Sequence, residues 1–420
     1  MPSCPRFVRV LLTACLVGAS LASCGGNSAP RVINVPGDKP TISEAVKSAH
    51  RGDTVLIAPG TYRESVTVDV SGIVIRGTDR NGVVLDGGDT LSNGILVTAD
   101  GVRVENLTVH SYTQNGVVFN GILAATKGKA VDPAVTYGTP GHSLVGYAAR
   151  YVTSYNNGLY GIYAFASTQG TIEDSYVSGN PDSGLYVGQC KPCDTVVRRV
   201  TAENNAIGYY GTNASGNVWV IDSVFRGNRL GMAPNSQKAE RLAPQEETVI
   251  AGNLVADNDN PAAPHVPSGF FGGGVAVGGG TRNLIVRNRV TDHSFTGIIL
   301  TMLNDFMPEN NRIEGNVLSG NGIDLAYSPQ GAVSAAGNCF TGNSFTTSTP
   351  TAIEQAMPCD GTPNVTGPAA VHRPVAPPHV DYRTIPAPGP QPSMPTSSVN
   401  VMAGTPPFVA PDLAAIKVPS

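Results

Sequence analysis

The groups in this chain that could do chemistry are gathered in a few places. Residues 120–146, 190–193, 234–247 and 301–311 are long or irregular stretches, and they hold Asp132, Lys191, Glu240, Arg241 and Asp305 as candidate catalytic side chains. A lyase acting on uronates needs a base for the C5 proton and a cation beside the carboxylate; a glycoside hydrolase needs two carboxyls a few ångströms apart. Either set can be drawn from these residues. Their spacing converges on no single pair, so solvated loop charge is the competing reading for each. Tyr137, His142 and Lys238 in the same stretches, with Tyr163, Tyr186 and Tyr209 nearby, are candidate binding residues, because aromatic faces stack on sugar rings. Clustered acids would hold Ca²⁺ through oxygen. Asp257-Asn258-Asp259-Asn260 offers such oxygens but lacks the rest of a calcium loop, and reads as an Asn/Asp turn. His293, after Asp292, reads as a polar turn residue. No His, Cys or Met cluster has metal-ligand spacing, so no resident metal is expected.

The elements that must position these groups come from a repeat. Gly followed by alternating apolar residues recurs at Gly94-Ile95-Leu96-Val97, Gly116-Val117-Val118-Phe119, Gly161-Ile162-Tyr163-Ala164, Gly184-Leu185-Tyr186-Val187, Gly208-Tyr209-Tyr210, Gly274-Val275-Ala276-Val277 and Gly297-Ile298-Ile299-Leu300. The period is about 23 residues, and a fixed period in this range marks a solenoid. Each copy carries a second apolar strand with a polar residue in mid-motif: Asn106, Asp174, Asp222, Asn253, Asn288, Asn316 and Asn338. A further Asn often follows about six residues later, as at Asn180, Asn205 and Asn228. Asn tolerates left-handed backbone and bonds its own turn, so stacked copies are expected to form a ladder. No helical period separates the strands. Short strands and tight turns at this period fit stacked coils rather than a doubly wound sheet. All four irregular stretches then fall at one corner, after the Gly strand. With coils ~4.8 Å apart, the first and third stand roughly 19 Å from each other, as the two walls of a trough.

At the start, Thr41-Ile42-Ser43-Glu44 is a capping box opening a short helix, and Gly52-Asp53-Thr54-Val55-Leu56-Ile57-Ala58-Pro59-Gly60-Thr61-Tyr62 follows. That order resembles the opening of pectate-lyase-like and pectin-esterase-like β-helices. The later coils are similar to those of periplasmic β-helix proteins of the nitrous-oxide-reductase accessory family. The resemblance implies an all-β fold, a right-handed parallel β-helix solenoid with a short N-terminal capping helix. The activity signatures of pectate lyases (clustered acids with a downstream Arg-x-Pro-x-x-Arg) and of alginate epimerases (Asp-Pro-His-Asp) are absent. Metal handling of the accessory kind has no supporting cluster.

Residues 1–23 read as a signal peptide: Arg6 and Arg9, then an apolar run, then Leu21-Ala22-Ser23-Cys24. The last four residues resemble a lipobox, which implies lipidation at Cys24 and a flexible tether over 24–31. Loss of 1–23 moves the formal charge from -4 to -6. With no basic stripe, nucleic acid is an unexpected partner. Cys190, Cys193, Cys339 and Cys359 remain, an even number that outside the cytoplasm favours disulfides. Cys190-x-x-Cys193 is also weighed as a redox motif or half a zinc site, against the solenoid turn that surrounds it. The β-helix is expected over 32–360 and a Pro-rich extended or disordered tail over 361–420, which holds fourteen of thirty-three prolines. The expected protein is extracytoplasmic, lipid-anchored to the cell membrane, and binds or cleaves an extended, acidic polysaccharide in the trough. The rival is a non-catalytic surface or assembly protein that docks an envelope protein.

Overall fold

The computed structural model describes residues 29–122, 143–265, 271–329, 334–365, 371–395 and 407–420. From Val32 to Thr349 the chain winds into a right-handed parallel β-helix of three sheets. One coil shows the plan: Thr195–Arg198 lies in the first sheet, Thr201–Glu203 in the second, and Ile207–Thr212 in the third. Every strand pairs in parallel with its counterpart one coil away, as Thr195 does with Val218 and Ile207 with Leu230. Val102–His110 and Leu144–Tyr155 run unbroken through the first two sheets. The third sheet is separate, and its strands are those of the Gly repeat.

Alternation fills the interior. In Tyr160–Phe165, Ile162 and Ala164 are buried inside, while Tyr163 and Phe165 face out. Each buried Val, Ile or Leu contributes on the order of 1.5–3 kcal/mol. Volume is matched across coils. The Tyr147 ring fills the interior beside Gly170, and a Cβ at residue 170 would collide with it. Thr41 caps the helix Ile42–Ser48 by accepting from Glu44 N at 3.1 Å. The helix's first amides are taken by Glu64, which accepts from Ile42 N and Ser43 N at 3.0 Å each.

The corners carry three polar ladders. Between the second and third sheets, the chain Asn157, Asn180, Asn205, Asn228, Asn258, His293, Asn321 and Asp324 passes a hydrogen bond from each side chain to the next. Asn253, Asn288, Asn316 and Asn343 do so between the first and second sheets, ending on Glu354. Gln245, Asn283, Asn311 and Asn338 do so between the third and the first. A buried amide is tolerated only when its donors and acceptor are met, and a stacked amide meets them from its neighbours. In the ladder between the second and third sheets the residue before a rung has positive φ, as Gly179, Asn204, Asp257 and Asp292 do before Asn180, Asn205, Asn258 and His293. The expected Asn180, Asn205, Asn228, Asn253, Asn288 and Asn316 are rungs, and the rest of the expected register is corrected. Asn106, Asp174 and Asp222 occupy left-handed positions, one residue ahead of the rung, and Asn338 belongs to a different ladder from Asn253. His293, expected as a polar turn residue, lies at that corner as a buried rung.

Cys190–Cys193 and Cys339–Cys359 are disulfide-bonded. The described tail segments lie along the outside of the solenoid, from the third sheet at Arg373 across to the first two sheets. Arg80 is 2% exposed; it donates to Thr153 Oγ1 at 2.8 Å and to the carbonyls of Val152, Asp174 and Pro392 at 2.9–3.0 Å. Burial pushes its guanidinium down to about 10. Arg229 grips Pro377 O at 2.6 Å, Arg287 grips Leu413 O at 2.6 Å, and Ile416 packs on Val196, Ile221, Ala251 and Val286. The outer face of the third sheet carries the remaining cluster of aromatic and acidic groups.

Candidate functional site

Successive coils of the third sheet place Tyr163, Tyr186 and Tyr210 in one outward column, because Tyr163 pairs with Tyr186 and Tyr186 with Tyr210. Their rings form a panel with Tyr160 and Phe165. Tyr160 stacks on Tyr163 at 4.6 Å, Tyr163 lies 4.8 Å from Tyr186, and Tyr210 meets Tyr186 edge-on at 5.8 Å. Such contacts add about 0.5–1.5 kcal/mol each beyond area burial, so the panel is a stiff surface. Burial pushes the phenols of Tyr160, Tyr186 and Tyr210 upward, Tyr210 to about 12, and these three stay uncharged near neutrality.

Two carboxyls flank the panel. Asp182, at the turn entering the strand Ser183–Gly188, takes a hydrogen bond from the Tyr160 hydroxyl; burial pushes its carboxyl up to about 6. Glu240 reaches in from the opposite edge, on the loop that follows Leu230–Asn235, and accepts from Asn213 Nδ2 at 3.0 Å. Burial pushes it up to about 7. Both lean toward Tyr210, whose ionised form each opposes. Asn213 holds the loop by its base, donating to Gln237 O at 2.9 Å and accepting from Gln237 N at 3.0 Å. Gln189 precedes Asn213 by one coil in the same left-handed corner position. Its side chain is 3% exposed, and neither amide atom has a hydrogen-bond partner among the described residues. An orphan buried amide costs about 1–3 kcal/mol unless something completes it.

The structure sorts the expected site residues. Glu240, Tyr163 and Tyr186 meet at this panel. Tyr209, expected to bind ligand, points into the core instead and is fully buried; the outward residue of its coil is Tyr210. Lys191 is paired with Glu246, which Arg282 also holds, so it ties together corners two coils apart. Asp305 takes Lys238 at 2.7 Å, joining two of the loops on the surface. Arg241 is exposed on the Glu240 loop. Asp132, Tyr137, His142 and Cys24 lie outside the described residues. Asp182 and Gln189 escaped sequence reasoning. Asp182 had a weak signal, since it stands two residues before a repeat Gly on a coil rich in tyrosine. Asn258 of the Asp257–Asn260 turn is spent on the ladder, and Asn260 donates to Asn204 Oδ1 at 3.0 Å. Among the described residues no group of three His, Cys, Asp or Glu is placed to hold a metal ion.

Residues 235–355 match the family model described as "Right handed beta helix region". No curated protein sequence matches the chain. Among solved structures, the chain is similar to tailspike protein 2 of Escherichia coli O157:H7 bacteriophage CAB120, with a TM-score of 0.50 and 12% identity over 75% of this chain and 47% of that one. A pectate lyase aligns over 93% of this chain and 97% of its own at 15% identity and a TM-score of 0.48. The A-module of mannuronan C-5 epimerase AlgE4 from Azotobacter vinelandii aligns over 73% and 86% at 16% identity, with a TM-score of 0.45. At these identities the likeness is one of fold.

Proposed function

We propose that this protein binds an extended, acidic polysaccharide on the outer face of the third sheet, and that Asp182 and Glu240 carry any proton transfer to or from the bound chain. The observation behind this reading is the pair of carboxyls raised toward neutrality on either side of a tyrosine panel. A general acid or base works best when its pKa lies near the working pH. Protonated carboxyls also spare a uronate-bearing chain the repulsion that two carboxylates would impose. The half-buried Tyr160, Tyr163 and Tyr210 offer ring faces for sugars. Affinity electrophoresis of the full chain in gels containing pectate, alginate or neutral glucans is the test. Retardation by at least one acidic polymer is expected, reduced by Tyr163→Ala. Free migration in every gel would overturn the proposal.

The same reading places the protein outside the cytoplasm, held to the membrane through lipidated Cys24. The residues Leu21-Ala22-Ser23-Cys24 support it. No helix among the described residues is long and apolar enough to cross a membrane. Mass spectrometry of the membrane fraction should show an acyl-bearing N-terminal cysteine; an unmodified peptide containing Cys24 would contradict it.

A further inference from the structure

A second site lies on a different face. Between the outer surface of the first sheet and the tail segment 407–411 is a cavity of about 460 Å³. Arg103, Arg150 and Arg198 line its floor, from three different coils, with Glu173 and Asp194. Pro407, Phe408, Val409 and Pro411 form its other wall.

The charge on the floor is unevenly met. Glu173 serves both Arg150 at 3.4 Å and Arg198 at 3.0 Å, and shares Arg199 with Asp174 outside the cavity. Asp194 is engaged by Asn217 Nδ2 at 2.8 Å. Arg198 Nε is buried without a hydrogen-bond partner among the described residues. Burial pushes Arg103 below its ordinary value, and so do the neighbouring cations Arg150 and Arg76, against the pull of Glu105. An anion entering here would meet guanidiniums that are partly desolvated and crowded by like charge, where charge-assisted hydrogen bonds are strongest. The opposite wall is apolar and carries an aromatic ring, which an inorganic ion would leave uncontacted. The volume lies within the range of small-molecule sites, about 300–1,000 Å³.

We infer that this cavity binds a ring-sized organic anion, a sugar acid of one or two rings, with its carboxylate on Arg103 and Arg198 and its ring against Phe408. The site is independent of the tyrosine panel, and its occupant would bridge the solenoid to its own tail. That gives the tail a ligand-dependent hold on the first sheet.

The test is calorimetric titration of the full chain with galacturonate, galactose and inorganic phosphate. Galacturonate should bind at least tenfold more tightly than either of the other two. Arg103→Gln should weaken galacturonate tenfold or more. Phe408→Ala should weaken it while leaving phosphate unchanged, and Tyr163→Ala should leave it unaffected, which separates this site from the panel. Equal affinity for galactose or phosphate would overturn the inference, as would full galacturonate affinity in Phe408→Ala. Phe408 belongs to the tail and not to a coil, so its variant keeps the test decisive even where Arg103→Gln disturbs folding.

Discussion

His293 is the one imidazole among the described rungs of its ladder, and its replacement has a calculable effect. Asn258 donates to His293 Nε2 at 3.1 Å, and His293 Nδ1 donates to Asn321 Oδ1 at 2.7 Å, so the ladder uses the neutral ring. Burial pushes the imidazole down to about 4, from 6.5 in an open chain. Between these values the unfolded chain takes up a proton that the folded chain refuses. The stabilisation is therefore complete above pH 6.5 and lost as pH falls toward 4. Linkage gives a loss of about 2 kcal/mol at pH 5 and about 3 kcal/mol near pH 4. His293→Asn keeps one donor and one acceptor in the rung and removes the titration. Urea unfolding followed by circular dichroism, from pH 4.5 to 7.5, should show the two proteins nearly equal at pH 7.5. The variant should gain as pH falls, by about 2 kcal/mol at pH 5. The comparison between the two proteins isolates this residue from other titrating groups. Parallel pH curves, or an imidazole titrating near 6.5 by NMR, would refute the ladder assignment.

Other groups give further expectations. Glu240→Gln should show the opposite trend: a raised carboxyl holds its proton in the folded state between 4.5 and about 7, so the wild type loses stability relative to the variant as pH rises through that window, read by the same unfolding curves. Arg80→Ala strips donors from the carbonyls of Val152, Asp174 and Pro392, at about 1–3 kcal/mol per orphaned group; limited proteolysis should then cut within 371–395 in the variant and spare it in the wild type. Removing Cys339–Cys359, which closes 20 residues, should cost about 3 kcal/mol, and removing Cys190–Cys193, which closes 3, about 2 kcal/mol or less, measured as separate double-serine variants.

The solenoid was legible because its period is carried by two independent signals, the alternating apolar strand and the recurrent turn residue. The rungs Asn180, Asn205, Asn228, Asn253, Asn288 and Asn316 were legible, whereas Asn106, Asp174 and Asp222 fall one position ahead of a rung, because both neighbouring positions favour the same residues. Asn and Asp suit the left-handed corner, as at Asn204 and Asp257, and Asn suits the rung behind it. Tyr209 was within reach of the sequence, since the residue after each repeat Gly points inward, as Ile162 and Leu185 do. The site was harder. Glu240 was readable only as one acid among several in a long loop; what distinguishes it is Asn213 and the burial beside the panel. Asp182 sits in a short corner, Pro181-Asp182, of a kind that is usually solvated. The pairs Lys191–Glu246 and Lys238–Asp305 join residues far apart in sequence, so coil stacking alone reveals that they are bound.

The account rests on the tyrosine panel meeting a sugar chain. Titration of the full chain with defined acidic oligosaccharides, followed by the NMR signals of selectively labelled tyrosine, tests this most directly. The account predicts that Tyr163 and Tyr210 shift together with a common affinity, that Tyr209 and Tyr147 in the core stay still, and that Tyr163→Ala lowers the affinity by tenfold or more. Shifts confined to tyrosines off the third sheet, or an affinity unchanged by Tyr163→Ala, would contradict it.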